Sequence, residues 1–401
     1  MYQEHEFLVI EDGIAEGFKP GMERGEVVIP DGVTEIDDEA FIECESLESV
    51  VIPKSVVEIR EYAFAHCKSL KSVTIHGNVR KIDSWAFWDC AALVSVSIPG
   101  SVLEIGSWAF NDCTALKSVT IHGSVRKIGD YAFWGCESLE SAAVSEGVAE
   151  IGDNAFERCK SLKSVTLPDS VRKIGMAAFE ACESLESVTL PKDVIEIDIA
   201  AFHGCESLKS VVIPGTVRKI SRRAFEGCAS LETATLSEGV RNIDGGAFAN
   251  CESLVSLAIP KSVRRIGNMA FTECTSLVSA VIPEGVTEIS ENMFKFCVSL
   301  KSVVIPENMR TIDEGAFRCC TSLAEISFFG TVAQWKVDLF VDFLDEGEFL
   351  GHGGMGIILT PYALVYSRLI ICNCYCHIYE SFLSLKRTFF KRIYKTLIFM
   401  I

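Results

Sequence analysis

A chain of 401 residues with 55 acidic and 37 basic side chains has a formal charge of -18, which turns it away from the phosphate backbone of nucleic acids and toward a basic or neutral partner. Its 49% hydrophobic content is ample material for a core. Seventeen cysteines raise the question of a disulfide scaffold, which their positions answer below.

The chain opens with residues 1–26, read as a lead-in or cap. "MYQEHEFLVI" has acidic residues where an export leader needs a basic start and a long apolar run, so as written it carries no recognisable signal peptide. Location stays open between the cytoplasm, the default reading, and the cell surface or secretion if the true start lies upstream.

From residue 27 to about 330 the chain repeats every 23 residues without an insertion. The phenylalanine of an Ala-Phe or Met-Phe pair marks thirteen units, from Phe41 and Phe64 to Phe294 and Phe317. Each mark is followed at three residues by a cysteine (Cys44 to Cys320) and at six by a leucine (Leu47 to Leu323). Five residues before it stands an isoleucine (Ile36 to Ile312), and eight before it a valine, replaced only at the last unit by Met309. These five positions are the expected core. In Ser72-Val73-Thr74-Ile75 apolar and polar residues alternate, so each unit holds one short strand with one face buried. Phe87, Cys90 and Leu93 recur at intervals of three, which predicts a short helical or 3₁₀ return. The expected fold class is thus an α/β repeat solenoid of about thirteen units, each unit stacking on its neighbours because none can bury its own core.

The pattern Leu-x-Ser-Val-x-Ile-Pro-x-x-Val-x-x-Ile-x-x-x-Ala-Phe-x-x-Cys resembles the BspA-like leucine-rich repeats, over about Val27 to Phe329. "FLVIEDGIAEGF" with "GEVVIP" is similar to that family's lead-in, and "FFGTVAQW" (Phe328 to Trp335) to its usual end. The resemblance implies a curved solenoid used for protein binding or adhesion, and it carries over no catalytic residue. The expected function is a non-enzymatic interaction protein for a protein or glycan partner, the alternative being a cell-surface adhesin or structural array.

Thirteen of the cysteines share one repeat position and would form a ladder with rungs about 5 Å apart. Cysteine packs as a small hydrophobe, so the ladder reads as reduced core rather than a set of bridges. Charge follows a longer period. The residue before the core isoleucine runs Glu58, Lys81, Glu104, Lys127, Glu150, Lys173, Glu196, Lys219, and the residue after the leucine alternates likewise from Lys117 to Glu232. The resulting 46-residue period, seen also in the near-identity of Leu70–Cys90 and Leu116–Cys136, pairs opposite charges on adjacent rungs and is equally what duplication of unit pairs would leave.

Among candidate sites, the outward strand positions are small and polar, as at Ser72, Thr74, Ser118 and Thr120, a scaffold-like monotony as much as a recognition face. His76 and His122 are two rungs apart, about 10 Å, too far to share a metal. No catalytic, metal-binding or cofactor-binding set is read from the chain. The aromatic residues depart most from the repeat. The positions two before and one after the Phe mark hold Tyr62, Trp85, Trp88, Trp108, Tyr131 and Trp134, including four of the five tryptophans, where later units hold Asn154, Glu157, Arg223 and Glu226. These six form the candidate partner-binding patch, with an ordinary packing layer as the equal alternative.

Residues 331–401 are read as the end of the array and a non-repeat tail. "GHGGMG" (Gly351 to Gly356) is read as a loop, and "CNCYCH" (Cys372 to His377) as a weak soft-metal pattern. Beyond Pro361 the only acid is Glu380 against six Lys and Arg. That switch from about Val341 is read either as a membrane anchor with a basic flank or, preferably, as a frameshifted end; only the anchor implies a membrane partner.

Overall fold

Burial alternates along each Ser-Val-Thr-Ile segment, and a strand is the backbone that puts every second side chain on one face. In the computed structural model, which describes residues 7–328 and the backbone of two strands at Gly356–Leu359 and Ser367–Cys372, these segments line up in parallel. Ser118 stands opposite Ser95 on one side and Ser141 on the other, and Ile121 opposite Ile98 and Val144. Each unit has a second, two-residue strand at the charged residue and isoleucine, as at Lys81–Ile82 and Glu104–Ile105, also paired in register. The chain therefore winds as a β-solenoid with a sheet of sixteen strands built on the longer segments, a sheet of thirteen built on the shorter, and a last short pair, Glu288–Ile289 with Thr311–Ile312, that forms a sheet of its own.

The return to the next rung is not helical, and the α/β class expected from the sequence is corrected here: the described residues contain no helix of any kind. The interval of three at Phe, Cys and Leu comes from successive tight turns. In the second unit the amides of Ala63, Ala65 and Cys67 donate back three residues, to the carbonyls of Arg60, Tyr62 and Phe64. The amides between them, Tyr62, Phe64 and His66, donate instead to Ser84, Ala86 and Trp88 of the next rung, at 3.3, 2.8 and 2.7 Å. A helix would keep all six within its own turn. The backbone manages this by taking left-handed φ at two residues per unit, two before and two after the Phe mark: 55° at Tyr62 and 59° at His66, 57° at Trp85 and 54° at Asp89. Each such non-glycine residue costs roughly 1–2 kcal/mol, which the cross-rung hydrogen bonds offset.

The five repeated columns fill the interior. Every marker phenylalanine from Phe41 to Phe294 is fully buried, and successive rings stack at centroid separations from 5.1 Å (Phe41 to Phe64) to 6.0 Å (Phe248 to Phe271). The thirteen column cysteines are free thiols, buried from Cys67 to Cys320 and half-buried at Cys44 on the first rung. Each buried thiol donates to a carbonyl on the preceding rung, as Cys67 to Phe41 at 3.0 Å and Cys182 to Phe156 at 3.2 Å. A weak donor thereby finds a partner inside an apolar column. Burial pushes the thiols up, Cys44 to about 11 and Cys228 to about 12.

Before the first rung, β1 (Leu8–Glu11) and β2 (Ile14–Phe18) form an antiparallel hairpin that pairs through β2 with Glu35–Ile36. Phe18 meets Phe41 edge-on at 5.2 Å and 85°, closing that end of the ring column. The alternating charges meet as read from the sequence: Lys81 to Glu58 at 3.6 Å, Lys127 to Glu150 at 3.4 Å, and Lys163 to Glu140 at 3.2 Å. The runs Gly351 to Gly356 and Cys372 to His377 lie outside the described residues except for the backbone of Gly356 and Cys372, and so does the tail reading beyond Val341 apart from the two strands.

Candidate functional site

The left-handed residue two before each Phe mark projects its side chain from the turn strip. Tyr62, Trp85, Trp108 and Tyr131 occupy this position on four consecutive rungs, at φ of 55°, 57°, 62° and 59°. This backbone favours glycine or asparagine, which other rungs use (Asn154, Gly246, Asn292, Gly315). The aromatic residues are therefore not what the local fold selects. Trp88 and Trp134 follow their Phe marks by one residue, inside the same turns.

All six side chains are half-buried. Five of them fall into two groups, and among the described residues no ring contact joins Trp134 to either. Tyr62 stacks on Trp85 at 5.1 Å and 7° and meets Trp88 edge-on at 6.4 Å, while Trp88 also lies 4.3 Å from the His66 ring. Trp108 stacks on Tyr131 at 4.0 Å and 5°, and the guanidinium of Arg158 sits 5.2 Å from the centre of the Trp134 ring. Among the described residues no ring contact joins Trp85 to Trp108. Between Trp88 and Trp134 lies Asn111, 2% exposed, whose amide donates to the Trp134 carbonyl at 3.3 Å.

Polar groups on the same strip complete the surroundings. His66 Nδ1 and Asp89 are 2.9 Å apart across one rung. Asp112 follows one rung later, its carboxyl raised by burial and then by the charge of Asp89, with Arg158 acting in the opposite direction. Sequence reasoning passed over His66 and Arg158, although both stand at the other left-handed position, two after the Phe mark. The outward strand positions remain a separate face: Thr74, Thr166 and Thr189 are exposed there, and Val212 and Val281 put apolar side chains at the same column, 61% and 57% exposed.

Nothing in the strip assembles a nucleophile, base and orienting acid. It is an aromatic surface on a β-solenoid of 23-residue leucine-rich units, and that is the class of protein the fold and the strip define. The family model described as the BspA type leucine rich repeat region (6 copies) matches residues 18–140, 126–255 and 242–344, and the chain belongs to that family. It is similar to the solved structure of a leucine-rich repeat protein from Bacteroides ovatus, at 28% identity over 83% of this chain and 95% of that one, with a TM-score of 0.65. The pneumococcal vaccine antigen PcpA shares the fold at 19% identity and a TM-score of 0.50, over 83% of this chain and 94% of that one. A leucine rich cell surface protein from Faecalibacterium prausnitzii matches at 28% identity over 82% of this chain and 96% of that one, with a TM-score of 0.45. No curated protein matches the chain.

Proposed function

We propose that this leucine-rich-repeat protein is a non-enzymatic interaction module that docks a protein or glycan on the strip formed by Tyr62, Trp85, Trp88, Trp108, Tyr131 and Trp134. The observation that carries the reading is the choice of Tyr or Trp on four successive rungs at a backbone position that penalises them. Half-exposed indole and phenol rings offer flat apolar faces with a polar edge, which suits both sugar rings and protein side chains. Arg158 beside Trp134 and the His66–Asp89 pair beside Trp88 add polar groups to the strip.

The test exchanges the rings for residues that other rungs already accept: Trp85→Asn and Trp108→Asn, as at Asn154 and Asn292, with Trp134→Glu, as at Glu157. Loss of ring stacking, about 0.5–1.5 kcal/mol per pair, is offset by relief of the left-handed tryptophans, so the melting temperature should move little. Tryptophan fluorescence of the parent protein should respond saturably to chitohexaose, cellohexaose or a mucin glycoprotein, and the triple variant, followed by calorimetry, should bind none of them. A steep fall in melting temperature would make the rings scaffold instead, and a parent protein silent toward every probe would remove the reading.

A further inference from the structure

The residue after the core valine follows the 46-residue rhythm for most of the array: Arg80, Leu103, Arg126, Ala149, Arg172, Ile195. Arginine alternates there with an uncharged side chain, so no two guanidinium groups stand on adjacent rungs. At Arg218, Arg241 and Arg264 the rhythm breaks and three arginines follow one another. Rungs of a parallel sheet lie about 4.8 Å apart, and like charges at that spacing repel. The earlier Arg172 meets Asp193 at 3.5 Å, but among the described residues no ion pair relieves any of these three.

Between them lies a cleft of about 340 Å³ lined by Gly215, Arg218, Gly239, Arg241, Ser262 and Arg264. Its remaining wall is backbone, because the loops approach too closely for side chains: a Cβ on Gly215 would collide with the Glu238 carbonyl, and one on Gly239, at a φ of 116°, with that of Gly215. The carboxylate of Glu238 is engaged by backbone, its two oxygens accepting from the amides of Lys261 and Ser262 at 3.0 and 3.1 Å. The Ser262 hydroxyl donates to Val240 O at 2.7 Å. Arg264 is steadied through Nη1 by the carbonyls of Lys261 and Val263, at 2.5 and 3.0 Å, leaving its Nη2 and Nε donors for a ligand.

We propose that this cleft binds a tetrahedral oxyanion, a phosphate or sulfate group, held by the guanidinium groups of Arg218, Arg241 and Arg264. Guanidinium forks pair bidentately with such groups. Three forks also outrun a carboxylate, which has two oxygens to offer where a phosphate or sulfate monoester has three. On a chain of net charge -18 a row of unpaired arginines is where an anion would be drawn. The site is on other rungs than the aromatic strip and does not depend on it.

Calorimetric titration of the full chain with inorganic phosphate, sulfate and acetate at fixed ionic strength tests this. Phosphate or sulfate should bind at one site per chain, and the tighter of the two tells whether phosphorylated or sulfated ligands are meant. Arg241→Ala restores the residue type of Ala149 in an intact rung, so it should fold, and it should weaken binding at least tenfold. Arg126→Ala, an isolated arginine outside the cleft, should leave the affinity unchanged. Acetate binding as tightly as phosphate, equal losses in the two variants, or no heat with any anion would each overturn the proposal.

Discussion

The thiol of Cys90 has its proton held by burial in a column from which water is excluded; its donation to the Phe64 carbonyl at 3.1 Å also favours the protonated form, and only a backbone hydrogen bond from Cys67 acts in the opposite direction. Thiolate, not thiol, is the reactive form. Among the cysteines of residues 7–328, an alkylating reagent on native protein should therefore modify the exposed Cys319 first, the half-buried Cys44 slowly, and Cys90 through Cys297 only after unfolding, as mass spectrometry of timed digests would report. Fast modification of Cys136 or Cys205 would contradict the buried column. The same shift sets a pH dependence. A thiol raised in the folded state holds its proton more tightly than in the unfolded chain, so its contribution is complete below the ordinary value of 9.0 and is lost as pH rises toward the folded value, about 12 for Cys228. The melting temperature should accordingly begin to fall above about pH 9, with the buried column as a cause.

At the scale of the element, the turn strip is where sequence and structure part. Ala200 has a φ of 56° and donates its amide to Arg222 of the next rung at 2.9 Å. In a helix, Ala200→Gly would cost about 1 kcal/mol. In the left-handed turn it should be neutral or stabilising by up to about 1 kcal/mol, and denaturant unfolding reads the sign directly. The five core columns were legible because each is a fixed residue type at a fixed interval, and the long strand because its alternation has a period of two. The turn was not, because consecutive three-residue turns and a 3₁₀ helix give the same spacing of Phe, Cys and Leu. What separates them is the fate of the alternate amides, which no side chain reports. A signal was nonetheless present in Asn154, Gly246 and Asn292 at one left-handed position and Asp112, Gly135 and Asn250 at the other, residue types that tolerate positive φ. The aromatic residues were found by their departure from the repeat, but the joining of five of them into two groups depends on ring orientations that spacing does not encode. The arginine cleft was legible in principle, as a break in an alternation that was followed only at neighbouring columns.

For the whole molecule, the unit of exchange should be two rungs and not one. Deleting residues 139–161 would set Lys127 beside Lys173 and Lys117 beside Lys163, whereas deleting 139–184 would set Lys127 beside Glu196 and Lys117 beside Glu186. Both shortened arrays keep the core in register. The one-unit deletion should gain more melting temperature with added salt than the parent, because screening relieves its new repulsions, while the two-unit deletion should track the parent. Identical salt slopes would mean that the charges merely travelled with the duplicated pair. The hairpin of β1 and β2 bears on how such a rod behaves among its own copies. A parallel ladder of identical rungs is a template, since its last strand presents the hydrogen-bonding edge that the next rung of any copy would complete. At the N-terminal side the ring column ends in the edge of Phe18 instead of a flat face, the short sheet ends in a strand running the opposite way, and β3 (Glu26–Val28), the last strand of the long sheet there, is only three residues long. A second molecule arriving from that side meets only a three-residue edge in the long sheet and an antiparallel strand in the short one, both poor templates for another parallel rung.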